Sequence, residues 1–224
     1  LPGNPGPGVR HQLLSADEQA QIARISTIVR FKKGDQIYRQ GDAAGAAFNI
    51  LSGVVTAYRD LADDHEHITA FLHSGDIFGL SEEGRYTSST TAATPVVGYK
   101  IPLPALQRLL RGSAQLDVDV IIKLCEELRQ AQRHSLLLDQ KKAITRVAMF
   151  LDLQEHLQRA RGESITEIHL PMARSDIAAY LGLTLAAVSR TFRDLVARHV
   201  IVFRNRHSVK IVDRRAFKKI ADTR

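Results

Sequence analysis

The sequence predicts an α+β protein in three parts: an N-terminal antiparallel β-roll of jelly-roll type, a long dimerisation helix and a C-terminal winged helix-turn-helix. Three observations carry that prediction. Beyond Ile28, as far as about Pro104, short β-rich runs alternate with Gly/Asp turn signals. From Ser113 to Arg161 there is no Gly or Pro, and apolar residues recur at heptad spacing. Further on, a single glycine separates two short apolar-periodic segments that precede a basic hairpin pattern.

Taken in order, the Pro/Gly-rich start LPGNPGPG reads as a flexible arm, residues 1–14. Residues 15–112 then form the roll. Ala16 to Ile28 read as a short helix, with Ser15 as N-cap and Glu18 completing a capping-box pattern. The runs QIYRQ, AAFNILSG, VVTAYRD, HITAFLH and VVGYKIP are the strands. Gly34-Asp35, Gly41-Asp42, Ser52-Gly53 and Ser74-Gly75-Asp76 punctuate them.

Residues 113–140 form the dimerisation helix. Ile121, Leu124, Leu128, Ala131, Ser135 and Leu138 are spaced 3-4-3-4-3, the seam of a two-stranded coiled coil. Val118, Val120, Ile122 and Leu137 equally suit a helix packed on its own domain, and a wide apolar surface can serve both contacts. A second helix from about Lys141 to Arg161 ends at Gly162 and opens the last domain, residues 141–224, with strand-like SITEIHLP behind it.

In MARSDIAAYLGLTLAAVSRTF, Ile177, Ala178, Leu181, Leu183, Val188 and Phe192 are the apolar set, and Gly182 supplies the sharp turn between two helices. Ser175 or Asp176 can cap the first helix. Thr184 can cap the second, which spans Leu185 to about Ala197. With Val188 and Phe192 inward, Leu185, Ala186, Ser189 and Arg190 face out as candidate base contacts. Arg174, Thr184, Arg193, Arg204, Arg206 and Lys210 are candidate phosphate contacts, the last three on the hairpin VIVFRNRHSVKIV, with His207 at its tip.

Charge agrees with that placement. The 224 residues carry a formal net charge of +7. It is −2 over residues 1–140 (14 Lys and Arg against 16 Asp and Glu) and +9 over residues 141–224 (17 against 8). A basic half joined to a neutral one is the footprint of nucleic-acid binding. No apolar run approaches the roughly 18 residues a bilayer span needs, and no charged-then-apolar leader opens the chain; the expectation is a soluble, cytoplasmic protein with no membrane partner. A single cysteine, Cys125, leaves no disulfide framework and no multi-thiolate metal site. No nucleophile elbow, Walker loop, HExxH or dinucleotide fingerprint is present, so no enzyme is expected. A regulatory subunit built on the roll alone would leave the basic winged helix unexplained.

On KKGDQIYRQGD, LSGVV, HSGDIFGL and LPMARSDIAAYLGLTLAAVSRTF, the chain resembles the CRP/FNR superfamily of bacterial transcription regulators along nearly its whole length, in particular the FNR/FixK branch. The resemblance implies a homodimer on palindromic promoter DNA that recruits or blocks RNA polymerase. It also implies a cyclic-nucleotide-binding-like domain whose state passes along the dimer helix. That branch typically shows Glu, Ser and Arg in its recognition helix, where this chain has Ala186, Ser189 and Arg190; the missing carboxylate implies an altered base preference. The cyclic-nucleotide members carry a Glu and an Arg where this chain has Leu80 and Thr87, with Arg85 two residues away, which argues against cyclic AMP. The oxygen-sensing iron–sulfur cluster of the branch needs four thiolates, against the one of Cys125.

For the signal, the residues leave alternatives open. A small organic or aromatic acid could be held by Arg85 with Tyr86, Ser88, Ser89, Thr90 and Thr91, unless these form a solvated loop and strand. Haem, with nitric oxide as the signal, could use His65, His67, His73 or His134, although ADDHEH also fits a charged hairpin turn. Cys125 could be a redox switch, but its place beside the seam suggests a buried, inert thiol. A FixK-like regulator without any bound effector is the remaining reading.

Overall fold

The computed structural model describes residues 16–60, 66–81 and 83–222; the expected arm, the Ser15 cap and His65 lie outside them. Helix α1 (Ala16–Arg24) stops before the expected Ile28. The Ser26 hydroxyl donates to the Ile22 carbonyl at 2.5 Å, and the β-branched Thr27, Ile28 and Val29 continue instead as strand β1 (Thr27–Phe31).

The roll continues with β2 (Gln36–Tyr38), β3 (Ala46–Ser52), β4 (Val55–Asp60), β5 (Glu66–Leu72), β6 (Ile77–Phe78), β7 (Ser89–Ala92) and β8 (Val96–Pro102). Two four-stranded sheets result, β1-β8-β3-β6 and β2-β7-β4-β5, and all their pairings are antiparallel. Between them lies an aromatic core of Tyr38, Phe48, Phe78 and Tyr86, with Ile50, Val55, Ala92 and Val96. On the outer side of the first sheet, Ala47, Ile77 and Ile101 receive Ile22 of α1, Leu106 of α2 (Leu103–Gly112) and Leu116 of α3 (Ala114–Leu138).

One turn is used three times. In Lys32–Asp35, Arg39–Asp42 and His73–Asp76 the aspartate accepts the backbone N–H three residues back, at 2.7, 3.0 and 2.8 Å. The preceding Gly34, Gly41 and Gly75 hold φ of 90°, 87° and 89°, a conformation that glycine adopts without penalty. The third turn does more, because Asp76 also binds Lys123 of α3 at 2.7 Å. Gly53, at φ 97° between β3 and β4, is required sterically as well, since a Cβ there would stand 2.3 Å from the Pro95 carbonyl oxygen.

Ser113 accepts from the Leu116 N–H and starts α3. After a break at Asp139–Lys142, α4 (Ala143–Ala160) runs through the centre of the C-terminal domain. Around it pack α5 (Arg174–Leu181), α6 (Leu185–Ala197), α7 (Arg214–Ala221) and a sheet of order β10-β11-β9, made of β9 (Ile168–His169), β10 (Ile201–Asn205) and β11 (Ser208–Ile211). Buried Glu155 of α4 takes a bidentate pair from Arg214 of α7, which satisfies a carboxylate that could not stay buried alone.

The two domains share one core. Tyr58, Ile68 and Phe71 of the second roll sheet cluster with Leu137 of α3 and with Phe150, Ile177 and Tyr180 of the C-terminal domain. Close by, buried His73 keeps Nε2 without a partner. Burial, helped by nearby Arg161, pushes its pKa down to about 4. The folded state therefore holds it neutral, whereas the unfolded chain takes up a proton near 6.5, so stability falls as pH drops from about 6.5 towards 4, by about 3 kcal/mol in all. Chemical denaturation across that window should show a shallower decline for His73→Phe than for the natural chain. Parallel curves would show that His73 is not the group being protonated.

Candidate nucleic-acid interface

The helix pair of the C-terminal domain is set by its ends. Helix α5 begins at Arg174, with Asp176 Oδ2 accepting the Ala173 N–H at 3.2 Å. Ser175, one of the two expected caps, lies inside the helix and donates its hydroxyl to Asp176, because Ala173 rather than Ser175 has the extended capping conformation. Gly182 follows in the left-handed region (φ 59°, ψ 40°). Thr184 accepts the Ala187 N–H at 3.1 Å and starts α6 as expected.

The last carbonyls of α5 are satisfied from outside. His134 of α3 donates Nε2–H to the Tyr180 carbonyl at 2.7 Å, and Arg146 of α4 donates to those of Leu181 and Gly182 at 2.9 and 3.3 Å. In the sequence His134 stood out only as a candidate haem ligand, and Arg146 not at all. No local pattern marks a side chain whose partner lies 35 or more positions away.

On α6, Val188, Thr191, Phe192 and Leu195 are buried. Leu185, Ala186, Arg190 and Arg193 are exposed, with Ser189 half-buried beside them. Ser189 and Arg193 open onto a groove of about 470 Å³ whose other walls are Arg174, Phe192, Val196, Ala197 and Phe203. The Arg174 guanidinium lies 3.9 Å from the Phe192 ring centroid and 4.7 Å from that of Phe203. Its Nη1 is buried without a partner, and burial lowers its pKa from the usual guanidinium range. A half-buried guanidinium beside Ser189 and Arg193 has the charge and donors to suit an anion such as a backbone phosphate.

The hairpin of β10 and β11 presents Arg204 and Arg206 outward, with Arg204 3.5 Å from Glu167. Lys210, opposite Val202, is half-buried on β11, and His207 Nδ1 lies 3.1 Å from the Leu170 carbonyl oxygen. Arg206 and Arg204 therefore reach further from the fold than Lys210.

A second cavity, about 280 Å³, opens between the roll and α3. Tyr38, Phe78, Tyr86, Thr87, Ser88, Leu124 and Glu127 line it, with Ala57, Ala70, Leu72, Ile77, Gly79 and Leu80. Of the expected effector residues, Tyr86 and Ser88 are present. Arg85 is not: it is exposed and donates Nη1–H to the Gly41 carbonyl at 2.7 Å, because its position in the chain pairs with Ala43 at the rim. Ser89 accepts the Gln40 N–H at 3.0 Å, and Thr90 is buried in β7; neither reaches the cavity. None of the described histidines lines it. His134 stacks on Tyr180, and His67 lies 5.9 Å beyond it.

Along α3, Ile121, Leu124, Leu128, Ala131 and Ser135 are exposed, the two leucines by 42% and 59%. Leu138, the expected end of the seam, instead packs half-buried against the core near Gly182. Cys125, expected to be buried, is exposed. No helix among the described residues is long and apolar enough to cross a membrane.

Comparison with known proteins agrees with this geometry. Residues 28–113 match the cyclic nucleotide-binding domain family, and residues 145–220 match the Crp-like helix-turn-helix domain family. The nitrogen fixation regulation protein FixK of Bradyrhizobium diazoefficiens is 34% identical over 183 residues, which cover 81% of this chain and 77% of the relative. The transcriptional activator protein anr of Pseudomonas aeruginosa is 34% identical over 163 residues, 72% of this chain and 67% of the relative. The solved structure of FixK2 from Bradyrhizobium japonicum superposes with a TM-score of 0.80 at 28% identity, covering 88% of this chain and 97% of that one.

The turn itself can be tested. A Cβ on Gly182 would meet Arg146 Nη1 at 3.3 Å and Leu138 Cδ2 at 3.5 Å, in a backbone conformation that L-residues resist by roughly 1–2 kcal/mol. Gly182→Ala should lower the denaturation midpoint by that free energy at unchanged denaturant dependence, measured in urea by circular dichroism.

Proposed function

The chain belongs to the Crp/Fnr family of transcription regulators, in its FixK-like branch, and we propose that it binds palindromic promoter DNA as a homodimer and acts there through RNA polymerase. The carrying observation is the unpaired, half-buried Arg174 between α6 and the wing, next to the outward Ser189, Arg190 and Arg193. Arg174, Thr184, Arg193, Arg204, Arg206 and Lys210 contact phosphates, while α6 enters the major groove.

Arg190 is the principal reader of sequence, since its planar fork can pair with guanine O6 and N7. Ser189 supplies a hydroxyl to a neighbouring base, and Leu185 and Ala186 offer apolar contact to a thymine methyl. The exposed stripe Ile121, Leu124, Leu128, Ala131 and Ser135 joins two copies, which places two recognition helices on half-sites about one helical turn apart. The roll receives the signal in the cavity beside α3.

Affinity for duplex DNA should fall steeply with salt, in proportion to the phosphates engaged. In fluorescence anisotropy against a randomised operator library, Arg190→Ala should relax discrimination at one base pair per half-site by about 1–3 kcal/mol. Arg206→Ala should weaken all sequences alike and reduce the salt slope. Unchanged discrimination by Arg190→Ala would remove α6 as the reading helix.

Position 186 gives a separate check. Ala186→Glu adds an acceptor for cytosine N4 and should sharpen preference at the base pair it faces, by about 1 kcal/mol or more in the same library. Equal affinities for all four bases in both proteins would show that position 186 does not face a base.

A further inference from the structure

The roll cavity has the wrong electrostatics for the anion that a cyclic-nucleotide-type domain suggests. No basic side chain among the described residues lines it. Its one charged group is Glu127, whose Oε1 is buried without a partner. Lys123, one turn earlier on α3, is committed to Asp76 at 2.7 Å and lies 4.0 Å from Glu126. A buried carboxyl without a partner either takes up a proton or meets a cation.

The remaining walls are aromatic. Tyr38 and Tyr86 stack with ring centroids 3.7 Å apart, and Phe78 stands 6.0 Å from Tyr38. The Tyr86 hydroxyl donates to the Ala46 carbonyl at 2.8 Å, so what this residue shows to the cavity is ring. Ring faces and a carboxylate attract cations and hydrogen-bond donors, and both repel anions.

We propose that this cavity binds a small organic cation, an alkylammonium, amidinium or imidazolium, whose charge pairs with Glu127 against the rings of Tyr38, Tyr86 and Phe78. About 280 Å³ suits a molecule of that class and is small for a nucleotide. Thr87 and Ser88 supply neutral polar contacts at the rim. Burial, with Asp76 nearby, already raises the Glu127 carboxyl to about 7, so an arriving cation would draw it back to the ionised form. The ligand would also touch the dimer stripe, because Leu124 both lines the cavity and belongs to that stripe. This last point rests on the reading of the roll as the signal-receiving part; the cation site does not.

The test uses the full-length dimer and a defined panel. Methylammonium, tetramethylammonium, guanidinium, benzamidinium and imidazolium chlorides are compared with sodium acetate, sodium benzoate and cyclic AMP at matched ionic strength and pH 7.5, by thermal shift and calorimetry. At least one cation should raise the melting temperature, with apparent affinity falling tenfold or more in Glu127→Gln and less in Glu127→Asp. In carboxyl-labelled protein the same cation should move the Glu127 titration to lower pH. No Glu127-dependent stabilisation by any cation, or stabilisation by the anions instead, overturns the proposal. DNA affinity measured with and without the bound cation separates the two readings. Binding that leaves DNA affinity unchanged keeps the site and removes its regulatory role, whereas a DNA response to an anion that ignores Glu127 does the reverse.

Discussion

The ring of Tyr180 sits where the three parts of the chain meet. It stacks on His134 of α3 at 3.8 Å and 7°, and packs against Phe71 of the roll at 5.1 Å and Phe150 of α4 at 5.7 Å. Its backbone carbonyl takes the His134 Nε2–H, and burial raises its phenol pKa well above the usual range. A helix of eight residues leaves half its carbonyls without intrahelical partners. In α5 those of Tyr180 and Leu181, with that of Gly182 in the turn, are supplied by His134 and Arg146. The first helix of the DNA-binding pair is thus finished by side chains from the two helices that precede it, and α6 inherits its position from them.

That arrangement gives α3 three separate duties on one rigid element of 25 residues, about 38 Å long. Near its start, Lys123 fastens it to the third Gly-Asp turn of the roll, and Leu124 and Glu127 close the cavity. Along its middle, the exposed apolar stripe faces outward. At its end, His134 and Leu137 enter the core shared with α5. A change of state at the cavity does not need a chain of contacts through loops to reach the recognition helix. A helix moves as one body, and interiors packed like this one shift between discrete arrangements rather than deforming smoothly.

How much of this was legible in the sequence follows from the range of each interaction. The turns and the recognition helix were readable because Gly-Asp pairs, Gly182 and the Thr184 cap act within three or four residues. The first two residues of strand β1 were counted in the expected first helix, since five residues paired only with the distant β8 carry little period of their own. The short α2 went unassigned although Leu103, Leu106, Leu109 and Leu110 recur at helical spacing. Arg85 stands outside the cavity beside α3, held at the Gly41 carbonyl. Glu127, which does line it, lies about forty positions later and reads there as an ordinary solvated charge on a helix.

Four buried side-chain atoms among the described residues lack a hydrogen-bond partner, and two of them are on charged groups, Arg174 Nη1 and Glu127 Oε1. Native interiors rarely leave such atoms unsatisfied, because the desolvation cost is not recovered within the fold. Both border cavities, and their signs differ. The cation faces a groove in the half of the chain carrying +9; the carboxyl faces an aromatic pocket in the half carrying −2. The two buried groups thus suit ligands of opposite charge. Both groups border elements that pack on the core around Tyr180, so the two ends of the molecule are joined through one packed interior.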